Sequence, residues 1–344
     1  MKRPPSLWLV VLNYNGLEDT QKCLASLRAV GHRELSILVV DNASSQDPIP
    51  ALRTEFPEAH YLRNPVNGGY AGGNNTGIVF ALDHGADLVV LLNNDTIVTP
   101  DFAHRLAEAA VSHPNFGILG PVINFMEEPD QVMTDGCVFN TANAAGFFQR
   151  KVVPLKRLET PAVAEVDIVN GCCMMVRAEV FRRIGLIDER FFLVHEESDF
   201  CLRARQAGFR CGVVGETLVR HKGSSSFKRS GKRLQRYYDA RNLYLLLRKH
   251  QATHRSGRGV WRSRLEYLKY VYYRYAIEKE EGHHDAAEAV LQGVCDALSG
   301  RYGPFPRFAH PALPWIRKLF GFWHSRRSVA AARKEKMIGA LPVR

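Results

Sequence analysis

Short, wholly apolar runs alternate along the first half of the chain with polar turns. Leu7–Leu12, Ile37–Val40, the short and more polar His60–Arg63, Leu88–Leu92 and Gly117–Val122 each read as a strand, and the unbroken apolar run of Leu88–Leu92 as one covered on both faces. The first ends in Asn13, Tyr14, Asn15 and Gly16, the second in Asp41, Asn42, Ala43 and Ser44, and the fourth in Asn93, Asn94 and Asp95. Between them, helical spacing predicts a helix to about Ala29, with Cys23, Leu24 and Leu27 inward, and another over Pro100–Ser112, capped by Thr99. Asn64–Ile78, NPVNGGYAGGNNTGI, reads as a glycine-rich loop that brings backbone close to a ligand. A helix follows it to Asp83, with Ile78, Val79 and Leu82 inward. This β–α alternation predicts an α/β fold with a Rossmann-like, mostly parallel central sheet flanked by helices and its ligand at the carboxyl strand ends.

The second half reads differently. Asn124–Arg157 is aperiodic, and Ala164–Val176 is a strand candidate broken at Asn170 and Gly171. Arg177–Ile184 and His195–Ala207 read as helices, the latter closed by Gly208, and Phe209–Val219 as extended chain leading to His221. Helices are expected at Leu234–Lys249, Leu265–Glu281 and Ala286–Leu298, with Arg255–Arg264 a basic joint. The expected division is 1–250 for the α/β domain, with halves near 1–122 and 123–250, and 251–344 for a helical, basic extension.

At 344 residues, 46% apolar and 24% charged, the chain has the composition of a globular protein. Seven scattered cysteines without a CxxC pair suit buried thiols rather than disulfides or zinc. The longest apolar runs fall well short of a membrane span or signal sequence, so a cytoplasmic location is expected. The net charge of +11 is uneven: Lys222–Arg236 holds six basic residues and no acid, and Trp315–Arg344 eight basic and one acidic. Charge of that kind suits anionic lipid or phosphorylated substrate. Nucleic acid is not expected as a partner, since no nucleic-acid motif accompanies the charge.

Asn93, Asn94 and Asp95 stop a core strand, where a hard carboxylate oxygen suits a divalent ion holding a diphosphate. A loop that merely caps the next turn is the alternative. Asp41, also at a strand end, suits a ribose hydroxyl or a base imide, or a turn cap. Glu196, Glu197 and Asp199 crowd one helix start, as proton-abstracting bases or as simple dipole caps. His221 suits a metal ligand or a surface position beside a basic loop.

The stretches VVLNYNGLEDTQKCLASL, ILVVDNAS, NGGYAGGNNTGI, ADLVVLLNNDTIVTPDF, NGCCMMVRAEVFRRIGLIDERFFLVHEESDFCLRARQAGFR and VRHKGSSS together resemble family 2 glycosyltransferases of GT-A fold, in their rhamnosyltransferase-like branch. The resemblance implies that Asn93–Asp95 is the metal motif, with Asp95 matching its final aspartate and Asn93 departing from its first. It implies His221 as a further ligand of Mg²⁺ or Mn²⁺. Asn13, Asp41, Gly73, Asn75 and Asn94 would line the donor pocket, and Glu197 would be the base, where aspartate is commoner. Arg241 and the Lys222–Arg236 run would clamp phosphate. The implied reaction moves rhamnose from dTDP-rhamnose, with inversion, onto a polyprenyl-diphosphate-linked or polysaccharide acceptor. Trp315, Ile316, Leu319, Phe320, Phe322 and Trp323, mixed with Arg317, Lys318, Arg326 and Arg327, suit an anionic membrane on its inner face, or packing on the core or on a second subunit of a homodimer. A nucleotidyltransferase making nucleotide sugars, which would need a basic glycine-rich loop near the start, and a non-catalytic sugar-nucleotide binder are the competing classes.

Overall fold

The computed structural model describes residues 4–31, 35–139, 147–149, 163–223, 232–250 and 257–326. The chain divides into two compact units: 1–138, 149–189 and 196–223 form one, and 139–148, 190–195 and 224–344 the other.

The first unit is built on strands β1 (Leu7–Asn13), β2 (Leu35–Asp41), β3 (His60–Arg63) and β4 (Leu88–Asn93), with helices α1 (Leu17–Arg28), α2 (Ile49–Glu55) and α3 (Gly69–Asp83). Next come β5 (Thr96–Val98), α4 (Phe102–Ser112), β6 (Phe116–Phe125), β7 (Val132–Thr134), β8 (Cys137–Phe139), β9 (Phe147–Gln149), β10 (Val163–Val166) and β11 (Cys173–Arg177), with Phe139, Phe147 and Phe148 of β8 and β9 falling in the other unit. Helices α5 (Ala178–Ile184) and α6 (Glu196–Gln206) and strand β12 (Arg210–His221) complete the unit. The sheet runs β10-β12-β6-β11-β4-β1-β2-β3, with β5 on β12 and β7 on β6. β4, β1, β2 and β3 are parallel, and β11 is antiparallel to both β4 and β6.

Both sheet faces are covered, which is why β1 carries no polar alternation. Leu7, Leu9 and Val11 pack with Cys23, Leu24 and Leu27 of α1 and with Phe102 and Leu106 of α4. On the other face, Trp8 meets Phe80 of α3 edge-on, with ring centroids 5.5 Å apart. The glycine-rich stretch is not a loop: α3 starts at Gly69 and takes it in. A Cβ on Gly73 would stand 2.5 Å from Leu12 Cδ1, and one on Gly77 would stand 2.3 Å from Val10 Cγ1. The glycines thus let a helix lie against the strands. Burying that side turns Val79 outward and leaves Leu82 half-buried, against expectation.

Helix α4 begins at Phe102, and the Thr99 hydroxyl donates to the Asp101 carboxylate (2.7 Å) instead of capping the helix. The second unit holds α7 (Lys232–Lys249), α8 (Gly257–Glu280), α9 (His284–Ser299) and α10 (Leu313–Arg326). α8 begins at Gly257, so residues 257–264 of the expected joint are helical. Most of the basic run, 224–231, and the tail beyond Arg326 lie outside the described residues. Among the described residues, no helix is long and apolar enough to cross a membrane.

Candidate active site

Strand register brings the polar turns to one edge. Asn13 pairs with Asp41, and Leu12 with Asn93. The chain turns at Asn94 and Asp95 into β5, which pairs antiparallel with the end of β12, so that His221 lies opposite Thr96. Asp95 Oδ1 and His221 Nε2 are 3.0 Å apart, and Asn93 Nδ2 is 3.5 Å from the same nitrogen. Asp95 and His221 are 7% and 9% exposed, buried enough to strengthen their field yet open at one side. A cavity of about 80 Å³ beside Asp95 is lined by Asp19, Lys22, Thr96, Ile97, Met126 and Lys222. The Lys222 ammonium bonds Asp19 Oδ1 at 3.0 Å.

A carboxylate oxygen and an imidazole nitrogen at this separation fit a divalent ion that completes its shell with substrate phosphate oxygens. Asn93, whose amide faces the histidine, is placed to reach the ion or a water on it. In the second unit, Glu278, Glu281 and His283 also cluster. The Lys232 ammonium lies 3.3 Å from Glu281 and 3.4 Å from His283, and Arg236 bonds Glu278. In that cluster the two carboxylates are matched by the Lys232 and Arg236 charges.

The acids of α6 have separate environments. Asp199 is fully buried and ion-paired to Arg203 Nε at 2.9 Å, an (i, i+4) pair that fixes the helix and leaves it no part as a base. Glu196 is buried, and its Oε2 has no hydrogen-bond partner. Burial, with the Glu197 charge adding to it, pushes its carboxyl well above the usual range. Glu197 is only half-buried. Glu197 lies close to the Asn93 end of β4: Asn93 N donates to Cys172 O (2.9 Å), and a Cβ on Gly171 would stand 3.4 Å from Glu197 Cβ. The Tyr70 hydroxyl, from α3, donates to Gly171 O at 2.5 Å. The arrangement places the Asp95–His221 pair and the half-buried Glu197, whose Oε1 lies 3.4 Å from Ser198 Oγ, near the Asn93 end of β4.

The family model described as "Glycosyltransferase like family 2" matches residues 4–240. This chain belongs to that family. Among curated relatives, the enzyme is 29% identical to the low-salt glycan biosynthesis hexosyltransferase Agl10 of Haloferax volcanii, over 70% of this chain and 74% of that protein. It is 26% identical to the dTDP-rhamnosyl transferase RfbF of Shigella flexneri, over 71% and 80%. It is 27% identical to the N-acetylglucosaminyl-diphospho-decaprenol L-rhamnosyltransferase of Mycobacterium tuberculosis, over 69% and 83%. The solved structure of S. aureus TarS 1-349 aligns with a TM-score of 0.56 at 13% identity, covering 97% of this chain and 93% of that one. The glycosyltransferase has the GT-A fold.

Other expected donor contacts serve the scaffold. Asn13 and Asp41 are fully buried and joined by Asn13 Nδ2→Asp41 Oδ1 (2.8 Å). Asp41 also accepts from Ser44 N at 3.1 Å, and Arg63 Nε lies 3.5 Å from it. Asn94 Nδ2 donates to Thr20 Oγ1 and Gly16 O, at 2.9 and 3.2 Å, so it ties down the β1–α1 turn. Gly73 faces Leu12, not a ligand. Asn75 donates to Ile187 O and Glu189 Oε1, both 2.9 Å, and accepts from Ile187 N. Its amide clasps the loop ahead of α6 rather than lining the donor pocket. Arg241 corrects the expectation of a phosphate clamp: it is fully buried, and its guanidinium donates to backbone carbonyls. Sequence reasoning missed Tyr70, Gly171, Asp19 and Lys22. Only the first had a signal, as an aromatic within the glycine run.

Proposed function

We propose that this glycosyltransferase takes L-rhamnose from dTDP-rhamnose and transfers it, with inversion, to a hydroxyl of a cell-surface polysaccharide intermediate carried on a polyprenyl diphosphate. Two of the three relatives above carry rhamnosyl transfer in their names, and one names a lipid-diphosphate acceptor. The observation that carries the chemistry is the separation of roles among the acids. Asp95 faces His221, Asp199 is held by Arg203, and Glu197 is half-buried with no ion pair to a basic side chain among the described residues.

Glu197 takes the proton of the acceptor hydroxyl while that oxygen attacks the anomeric carbon. The bond to the leaving diphosphate breaks, and its electron pair departs with the phosphate oxygen. One displacement inverts the anomeric centre and needs no second protein acid, because the diphosphate is a competent leaving group. Asp95 and His221 would hold Mg²⁺ or Mn²⁺, which would supply charge neutralisation for the leaving group. Lys22 and Lys222 flank the same cavity and add to the positive field.

The outward face of α10 suits docking at an anionic membrane. Trp315 is 74% exposed and Leu319 44%, while Phe320, on the opposite face, is buried against Tyr275. The Lys318 ammonium lies 5.5 Å over the Trp315 ring, and Leu313–Arg326 contains no acid. A screen of nucleoside-diphosphate sugars with Mg²⁺ and Mn²⁺, reading nucleoside diphosphate release with and without lipid-linked acceptor, tests the function. The dTDP-rhamnose arm should lead. Release from no donor would overturn the reading.

A further inference from the structure

The segment just ahead of the proposed base has an unusual backbone. Phe192, Val194 and His195 have φ of +61°, +73° and +74°, the left-handed region that side chains with a Cβ disfavour, a β-branched valine most of all. Glu196 and Glu197 follow at once, in the first turn of α6. Three such residues in four persist only where their surroundings dictate the conformation.

Helix α7 does so. The Asn242 amide nitrogen lies 2.8, 2.7 and 2.8 Å from the carbonyl oxygens of Phe191, Leu193 and Val194. Its Oδ1 accepts from Arg241 Nε at 2.8 Å, which fixes the amide's orientation. Arg241 Nη2 donates to Arg190 O and Phe191 O (3.1 and 2.8 Å), and Nη1 to Gly303 O (2.6 Å). Arg241 and Asn242 are both fully buried. One turn earlier, Asp239 Oδ1 is 3.2 Å from His195 Nε2, and the Phe192 ring stacks on Tyr238 at 16° with centroids 5.5 Å apart. Six consecutive residues, 190–195, are thus gripped by side chains of one helix. Ordinary loop packing would not require three carbonyls on one amide.

We infer that Arg241 and Asn242 are positioning residues for transfer: by holding residues 190–195 in a strained left-handed turn, they set, through the covalent chain, where Glu197 enters α6. The inference rests on Glu197 being the base. A buried arginine whose donors are taken up by main-chain carbonyls acts on geometry and not on charge at the donor.

The test uses the full-length enzyme, with turnover normalised to sites that bind nucleoside diphosphate, so that misfolded protein is not counted. Asn242→Ala is expected to lower kcat roughly 30-fold, the scale of an ångström-sized misplacement of a reacting group. Donor KM should stay within about twofold. Val194→Gly in that background removes the Cβ that opposes the left-handed backbone and should restore about fivefold. Arg241→Lys, a milder change, should fall between wild type and Asn242→Ala and serves alone if Asn242→Ala yields no folded protein. An unchanged kcat in these variants, or no recovery on Val194→Gly, overturns the inference. Glu197→Gln is run alongside. Full turnover there removes the base reading and this inference with it, whereas a dead Glu197→Gln beside a fully active Asn242→Ala removes only the positioning role.

Discussion

Replacing Gly77 by alanine tests whether α3 lies where its glycines put it. Two effects oppose each other. Alanine within a helix gains about 1 kcal/mol over glycine. The new Cβ, however, would stand 2.3 Å from Val10 Cγ1, 3.1 Å from Val10 Cγ2 and 3.2 Å from Val40 Cγ2. Those methyls belong to short, buried, β-branched side chains of the two central parallel strands, which cannot swing aside. Overpacking of this kind costs about 1–3 kcal/mol, and a contact this short belongs at the upper end. The net expectation for Gly77→Ala is a loss of about 1–2 kcal/mol, a fall in Tm of roughly 2–8 °C for a unit of this size. Gly72→Ala is the internal control: its Cβ would meet nothing nearer than Glu189 Cδ at 3.7 Å. There the propensity gain acts alone and Tm should rise by about 2–4 °C. Thermal unfolding followed by circular dichroism reads both. A Gly77→Ala protein as stable as wild type, or a Gly72→Ala protein less stable, would refute the packing argument.

The same helix shows where sequence stops being legible. The strands could be read because burial on both faces demands continuous apolar runs, and their ends because Asn13, Asp41 and Asn93 interrupt those runs at one register. Glycine carries two opposite meanings. It permits a ligand-hugging loop, and it permits a helix to approach a sheet; only the neighbours of Gly73 and Gly77 decide between them. Arg241 shows the limit for charge. An arginine in a polar helix suggests a phosphate partner, but its actual partners, the carbonyls of Arg190, Phe191 and Gly303, lie 51, 50 and 62 residues away. Among the three acids of α6, spacing alone could not say which would be open. Asp199 is removed by Arg203, four residues on, and Glu196 by the burial of its helix face.

Other outcomes follow from the same contacts. Asp95→Ala should reduce metal-dependent donor turnover by at least about 100-fold, and raising Mn²⁺ should recover part of it only if His221 still holds the ion; insensitivity to Asp95→Ala would remove the metal assignment. Burial raises the Asp239 carboxyl, but bonds from His195 and Tyr270 with the Arg274 charge outweigh it and hold the pKa at about 2. Its folded pKa is depressed, so its stabilisation is present above about pH 4 and lost as pH falls through 2. Asp239→Asn should therefore cost about 2 kcal/mol at pH 7 and little near pH 2 in urea melts, and an equal cost at both would contradict the pairing. Trp315→Ser with Leu319→Ser should weaken sedimentation with phosphatidylglycerol vesicles but leave soluble-acceptor turnover unchanged. Undiminished binding, or a light-scattering mass that drops from dimer to monomer, would replace the membrane by a second copy of the chain.

The most direct measurement is transfer and donor binding by Glu197→Gln, whose amide keeps the size of the side chain and loses its basicity. The rate of sugar transfer should fall about 10²–10⁴-fold, the usual contribution of a positioned general base, while dTDP-rhamnose binding, followed by calorimetry with Mn²⁺ present, stays within about twofold of wild type. A variant that transfers sugar at the wild-type rate, or that loses donor binding along with transfer, contradicts the account.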